Sequence, residues 1–482
     1  MHRIYINNQI DIVHNLKPNV VFLVIDSFRS DKCVGDTKSS ITPNIDSIIK
    51  NGTYFTQAIS SGSQTIPSVA SLFTGLYPLK AVSEKESHFT INVNAPNYLN
   101  IIKNSGYNIH AIVADHFPIL GLSEVFEDNI ITFDPQSTVY DGVGEKIRKF
   151  LQTKKTQPWF VYIHLLDLHG SAKFQLSKGP TEFYDKKFGK NQYERMVSCL
   201  DKWVGKILKD IDLENTLVIV TADHGSEDGV FDEAMEIQKQ KIRIVEPSKI
   251  QKSLSKIGKI SPSFLTPVKG KIRERNLKKR KNIVEERQED ELKKIESLDV
   301  SAYQKRIMKH NVRPIVHVYD DRFRIPLIFS GPKIRKNIKI SQLVRMVDIF
   351  PTIMELVGIN VDSITSHGKS ILPLLEGKEI PEEPALIQSL TNWQRSNSAN
   401  VIGVRTSKYK YFRDVNNKEK NIHIFDLIND PLEEKNIYSE NSEIKKFEKY
   451  ITNIENTHIE TNEKGRIKKR IGLKLKKLNL KE

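Results

Sequence analysis

Cysteine is nearly absent: the 482 residues contain two, Cys33 and Cys199, far apart and in no metal-type spacing. That argues against a secreted scaffold held together by disulfides, which would carry more. Long apolar runs are missing too. A bilayer-spanning helix needs roughly 20 apolar residues, whereas the first apolar stretch, Val20 to Ile25, stops at Asp26 and no later one is long enough. The opening segment, Met1 to Lys17, has no basic start followed by an apolar core, so it does not read as a secretory leader. Together these absences predict a cytoplasmic protein with no transmembrane segment, leaving peripheral membrane contact open. No repeat recurs at a fixed period, and glycine and proline are ordinary in number.

What is present fits a globular chain: 38% hydrophobic and 28% charged residues. The formal net charge is +15, and it is unevenly placed. Residues 239–309 hold 21 Lys and Arg against 9 Asp and Glu, and residues 464–482 hold 9 against 1, so the rest of the chain is mildly acidic. Appended basic charge concentrates anionic partners through its field. By charge alone these are nucleic acid, anionic lipid or an acidic polymer. The commoner reading of such runs is a solvated helix and a frayed tail.

Hydrophobic periodicity gives the architecture. Asn19 to Ile25, Asn108 to Ala114, Trp159 to Leu165, Thr216 to Thr221 and Ile325 to Phe329 read as strands, most of them continuous apolar runs buried on both faces. Helical patterns alternate with them at Ile45 to Lys50, after Pro67, at Leu99 to Ser105, Val143 to Gln152, Tyr193 to Ile211 and Leu343 to Val357. This alternation predicts a doubly wound α/β sheet. Shorter strands follow at Val401 to Arg405 and Tyr409 to Phe412. The proline-punctuated, highly charged stretch from about 236 to 312 breaks the pattern and reads as an insertion. The expected organisation is a catalytic domain over 18–378 with that interruption, a small subdomain over 379–441 and a basic helical tail over 442–482.

Ligands in open α/β sheets collect beyond the carboxyl ends of the strands. Asp26, His164 with Asp167 and His169, and Asp223 with His224 all fall at or just past such ends. One Asp after a strand is an ordinary helix cap. Acidic and imidazole groups from three strand ends converging on one edge are how a divalent metal site is built.

The order of sequence blocks resembles the sulfatase family of the alkaline-phosphatase superfamily. NVVFLVIDSFRSD, TPNIDSIIKNGTYFTQA and TIPSVASLFTGLYP lie within residues 19–78, followed by TADHG at 221–225, YDDRFRIPLIFSGP at 319–332, MVDIFPTIMELVGI at 346–359 and HGKSILPLLEG at 367–377. VRTSKYKYF and FDLINDPLEEKNI complete the series. The resemblance covers about residues 19 to 440, apart from the insertion. It implies a large mixed, mostly parallel sheet with helices on both faces and a small C-terminal antiparallel sheet. By position it makes Thr65, in Thr65-Ile66-Pro67-Ser68, the nucleophile. It makes Asp26, Asp223 and His224, with Thr65 itself, the ligands of one divalent metal. His169 and His317 match positions that contact the transferring group or protonate the leaving oxygen; His367 is a weaker candidate, and His164 is expected to pack within its strand. Without the resemblance Thr65 would read as an ordinary helix cap before Pro67.

Departures from the family pattern shape the expected chemistry. Thr65 cannot be oxidised to the formylglycine aldehyde on which sulfatases proper depend. Val69 stands where the family motif has Arg, Ala114-Asp115-His116-Phe117 replace a Lys-Trp-His block, and Ser27 replaces the second Asp of the usual pair. These changes favour phosphodiester or phosphoryl chemistry through a covalent Thr intermediate over sulfate ester hydrolysis, with hydrolysis and transfer both open. The His ligand favours Mn²⁺ or Zn²⁺ ahead of Ca²⁺ or Mg²⁺. Asp167, His169 and His317 could contribute to a second ion, but their spacing favours one. The expected partner is an anionic ester, on a polysaccharide or a lipid head group in preference to nucleic acid, with the basic insertion as a lid or arm for it. The alternative is a non-catalytic member of the fold that binds an anionic polymer.

Overall fold

A computed structural model describes residues 17–85, 88–116, 123–170, 176–231, 286–312, 318–360, 362–390, 400–440 and 442–457. The chain divides into two compact units, Met1–Ser226 with Val316–Glu482, and Glu227–Ile315.

The larger unit is built on one sheet. Its strands are β1 (Asn19–Ile25), β2 (Gly52–Ile59), β5 (Asn108–Ala114), β6 (Ile130–Phe133), β7 (Trp159–Leu165), β8 (Thr216–Thr221), β9 (Arg324–Ser330), β10 (Ile338–Ile340) and β11 (Val344–Arg345), with the hairpin β3 (Val82–Lys85) and β4 (His88–Ile91) apart from it. The sheet order is β10-β2-β9-β8-β1-β7-β5-β6, with β11 also on β2. Every pairing is parallel except those of β9, which runs antiparallel between β2 and β8. The carboxyl ends of β1, β2, β7 and β8 therefore share one edge, and β9 begins at that same edge. The continuous apolar sequence of the central strands follows from this: all seven residues of β1 and of β7 are buried.

Helices cover both faces. They include α1 (Pro43–Lys50), α2 (Thr65–Thr74), α3 (Tyr98–Asn104), α4 (Val143–Gln152), α5 (Gln192–Leu208) and α7 (Ile349–Leu356). Phe22 of β1, Tyr162 of β7, Phe73 of α2 and Phe350 of α7 form an aromatic cluster with centroid separations of 5.0–5.9 Å. It locks the two helices against the middle of the sheet. Asp201 of α5 accepts the Asn44 and Ile45 amides, at 3.0 and 2.8 Å, so one helix caps the exposed N–H groups of another.

The small sheet β12-β13-β14-β15 (Ala385–Ser389, Val401–Arg405, Tyr409–Asp414, His423–Asp426) is antiparallel throughout. Its helix α8 (Ile444–Glu455) buries Phe447 and Ile451 in a cluster with Ile402, Tyr411 and Tyr77. β12 meets the loop that precedes α2: the Gln388 amide donates to the Ser61 carbonyl at 3.0 Å, and Ser63 Oγ donates to Ser389 Oγ at 3.0 Å.

The smaller unit holds a helix over residues 286–296 and α6 (Ala302–Val312). Phe231, Ile295, Ile307 and Met308 form its buried cluster. Among the described residues no helix is long and apolar enough to cross a membrane.

Candidate active site

Two strand ends supply the centre of the shared edge. β1 delivers Asp26, β8 delivers Asp223 and His224, and all three are buried, with ligand atoms within 4.8 Å of one another. The chain leaves β1 through Ser27, a non-glycine residue held at φ 59°. That conformation is costly for an L-residue and is over-determined by its surroundings. Tyr193 donates its hydroxyl to the Ser27 carbonyl at 2.6 Å, the Ser27 amide reaches Asp223 Oδ1 at 3.2 Å, and Ser27 Oγ donates to Asp26 Oδ1 at 2.6 Å. The left-handed turn thus aims an amide at one carboxylate and a hydroxyl at the other.

Thr65 reaches the same centre from the loop after β2. Its Oγ1 donates to Asp26 Oδ2 at 3.0 Å and lies 3.4 Å from His224 Nε2. The helix begins at Thr65 with Gln64 as its cap, two residues before Pro67 and not after it. Proline is tolerated in the first turn because no intrahelical donor is needed there. His224 Nδ1 faces the Gly225 carbonyl at 2.7 Å. With its proton donated there, the Nε2 lone pair points to the carboxylates, the tautomer a metal-binding imidazole uses.

The donor set fits a divalent cation. Burial raises the cost of ionising both Asp26 and Asp223. At Asp26 the hydrogen bond from His169 and the imidazoles of His224, His169 and His164 overcome it, holding the carboxyl well below its ordinary range. At Asp223 burial, joined by the charge of Asp26, prevails and the carboxyl is pushed up. Asp223 Oδ2 accepts no hydrogen bond among the described residues. Two close buried carboxylates, one with an unused oxygen, are suited to receiving a cation.

The other histidines separate. His169 Nδ1 lies 3.1 Å from Asp26 Oδ1 and its side chain is 59% exposed, so it stands at the mouth. The hydrogen bond to Asp26, aided by that carboxylate's charge, raises its pKa. His164 is fully buried beneath the centre, with Nδ1 2.8 Å from the Tyr162 hydroxyl and Nε2 4.0 and 3.9 Å from Asp26 and Asp223. It packs within its strand as expected, yet it also faces both carboxylates. Asp167 turns away, accepting the Val139 amide at 3.0 Å. His367 lies at the far end of α2 from Thr65, where Nδ1 accepts the Tyr77 amide at 2.9 Å. Burial, with the charges of Arg345 and Lys80, lowers its pKa to about 4, so it is a neutral acceptor there. His317 lies outside the described residues.

Some contributors act through contacts distant in sequence. Ser60 Oγ donates to the Asp223 carbonyl at 2.6 Å, tying the end of β2 to that of β8. Gly225 must be glycine, because an added Cβ would lie 2.0 Å from the Asp321 carbonyl oxygen. Its amide donates to the Arg322 carbonyl at 2.7 Å.

Comparison with known proteins follows the same lines. The profile of the sulfatase family matches residues 18–359, and that of the N-sulphoglucosamine sulphohydrolase C-terminal region matches residues 310–460. An ulvan-active sulfatase of Formosa agariphila is 23% identical over 478 residues, covering 88% of this chain and 76% of that protein. Arylsulfatase K of Gallus gallus is 33% identical over 153 residues, 31% of this chain and 28% of that protein. Among solved structures, a 2-O GAG sulfatase superposes with TM-score 0.60 at 17% identity, covering 91% of this chain and 93% of that one. The phosphonate monoester hydrolase of Agrobacterium radiobacter superposes with TM-score 0.56 at 15% identity, covering 91% and 94%. These two superpositions speak for the fold alone.

Proposed function

The chain belongs to the sulfatase family, and on that premise we propose that it is a metal-dependent hydrolase or transferase of anionic esters with Thr65 as nucleophile. The observation that carries this reading is Thr65 Oγ1, 3.0 Å from Asp26 Oδ2 at the opening of the buried Asp26, Asp223 and His224 group. Asp26, Asp223 and His224 would hold a divalent ion, Mn²⁺ or Zn²⁺ suiting the imidazole ligand, and it would supply Lewis-acid charge to acidify the hydroxyl and offset charge on the ester.

The residues divide the remaining work. Asp26 orients the Thr65 hydroxyl and accepts its hydrogen bond. Thr65 Oγ1 gives up its proton along the hydrogen bond to Asp26 and forms a bond to sulfur or phosphorus as the ester oxygen departs. His169, its proton affinity raised by Asp26, stands at the mouth where a leaving alkoxide needs a proton. Water or an acceptor hydroxyl then takes the group from Thr65. His317 is the second candidate for the acid.

Substrate class is the finer question. A phosphodiester or phosphonate ester is favoured by Thr65, which cannot form an aldehyde, and by the cationic groups missing at Val69 and at 114–117; the comparisons lend phosphoryl chemistry no preference. The names of the sulfatase relatives support a second reading, a sulfate ester on an anionic polysaccharide. A metal-supplemented panel of aryl sulfate, phosphate monoester, phosphodiester and phosphonate ester, run beside Thr65→Ala, tests both. Turnover of at least one class should fall by about 10³-fold or more in the mutant. Undiminished turnover in Thr65→Ala would remove Thr65 from the mechanism.

A further inference from the structure

A buried carboxylate that is to meet a cation in a fixed pose needs one oxygen kept for the ion and the other held by hydrogen bonds. Both carboxylates of this centre are divided in that way. Asp26 Oδ1 accepts the Ser27 hydroxyl at 2.6 Å and faces His169 Nδ1 at 3.1 Å. Asp223 Oδ1 accepts the amides of Ser27 and His224 at 3.2 and 2.7 Å. The Oδ2 atoms are left toward the other donors: Asp26 Oδ2 receives Thr65 Oγ1 at 3.0 Å, and Asp223 Oδ2 lies 3.5 Å from His224 Nε2. Ser27 is common to both divisions, its amide and hydroxyl diverging to the two carboxylates from a backbone at φ 59°.

Serine is crowded at that φ, where glycine would sit without steric cost. The restraint comes from α5. Tyr193, in the first turn of that helix and 1% exposed, donates its hydroxyl to the Ser27 carbonyl at 2.6 Å and accepts the Arg29 amide at 3.0 Å. One phenol 166 residues away thereby bridges a carbonyl and an amide on either side of residue 28. Burial pushes the Tyr193 pKa well up, so the donated proton stays on its oxygen. The helix start is itself anchored. Asn191 accepts the Glu194 amide at 2.9 Å, and Glu194 pairs with Lys32 of the same loop at 3.0 Å.

We infer that the Tyr193 hydroxyl is a positioning group for the metal centre: by holding Ser27 left-handed it keeps Oδ1 of Asp26 and of Asp223 occupied and leaves both Oδ2 atoms for the cation. The inference rests on the metal-dependent reading of the site and is independent of which group is the nucleophile. A tyrosine that only filled space beneath the loop would need its ring and not its hydroxyl, so Tyr193→Phe separates the two roles.

The test titrates Mn²⁺ calorimetrically into the full chain, comparing wild type, Tyr193→Phe, Ser27→Gly and the double variant, with the melting temperature before metal addition as control. Tyr193→Phe should weaken Mn²⁺ binding by about 10-fold or more, the scale for removing a group that orients a ligand. Glycine accepts the positive φ unaided, so in the Ser27→Gly background the same change should cost about threefold or less, a coupling the cycle reads directly. Mn²⁺ binding by Tyr193→Phe within about twofold of wild type, even with a lowered melting temperature, would reduce the phenol to a structural bond. Equal losses in the two backgrounds would show that the turn is not the route. Should Tyr193→Phe not fold, Ser27→Ala and Ser27→Gly decide: both lack the hydroxyl and only alanine resists the turn. Alanine should then bind Mn²⁺ several-fold more weakly than glycine, and equal affinities would overturn the inference. A wild type that binds neither Mn²⁺ nor Zn²⁺ would sink the metal reading and this inference together, whereas metal binding indifferent to Tyr193→Phe sinks the inference alone.

Discussion

Asp167 sits just past the end of β7 with its carboxyl turned into the protein, 1% exposed, where it receives the Val139 amide. Burial, only partly offset by that hydrogen bond, pushes its pKa from 3.8 up to about 7. Between those values the folded chain holds a proton that the unfolded chain has released, so stability falls as pH rises from about 4 to about 7. Asn at this position keeps the acceptor and never ionises. Asp167→Asn should match wild type near pH 4 and exceed it at pH 8 by on the order of 4 kcal/mol, as read by urea denaturation. This residue also marks how far a sequence can be read at single positions. Acidic and imidazole side chains after apolar runs stand out, and Asp26, Asp223 and His224 do meet. Asp167 has the same placement and faces elsewhere, since strand position fixes the edge and not the rotamer. Arg322 and Tyr193 could not be found that way, because their partners lie far off along the chain.

At the scale of elements the apolar strands were plain: Asn19–Ile25, Asn108–Ala114, Trp159–Leu165 and Thr216–Thr221 begin and end where their apolar runs do. Strand β2 escaped notice. Its sequence GTYFTQAI mixes Thr and Gln with apolar residues, its burial does not alternate cleanly, and its register shifts between Phe55 and Ala58. Period-2 reasoning has little to hold in such a segment. Contacts between elements are the other hidden quantity, and Gly225 is one of them. Gly225→Ala would drive the His224 loop away from the 321–322 backbone, against which the added methyl would stand at 2.0 Å. Turnover should fall on the order of 10²-fold, as expected for an ångström-scale misplacement. A stability loss of about 2 kcal/mol should accompany it. Wild-type kcat/KM in that variant would show that the close approach is incidental.

For the whole molecule, the appended charge is the feature most open to experiment. Residues 239–309 carry 21 basic against 9 acidic side chains. We propose that they recruit anionic polymers through their field. Replacing them with a Gly-Ser linker should leave turnover of small aryl esters unchanged, while binding of a sulfated polysaccharide weakens and loses salt dependence. Unaltered polymer binding in that variant would assign the charge to solubility instead. The sheet order has a consequence for synthesis. Among the described strands β2 pairs only with β9, β10 and β11, all of them formed by residues 324 and beyond. A nascent chain that already contains Asp26, Thr65, Asp223 and His224 thus has no seat for the strand that carries Thr65 to its partners. Translation therefore supplies all four groups long before it supplies the scaffold that joins them, and a ribosome that stalls midway releases a product with the ingredients of a hydrolase and no means of acting as one.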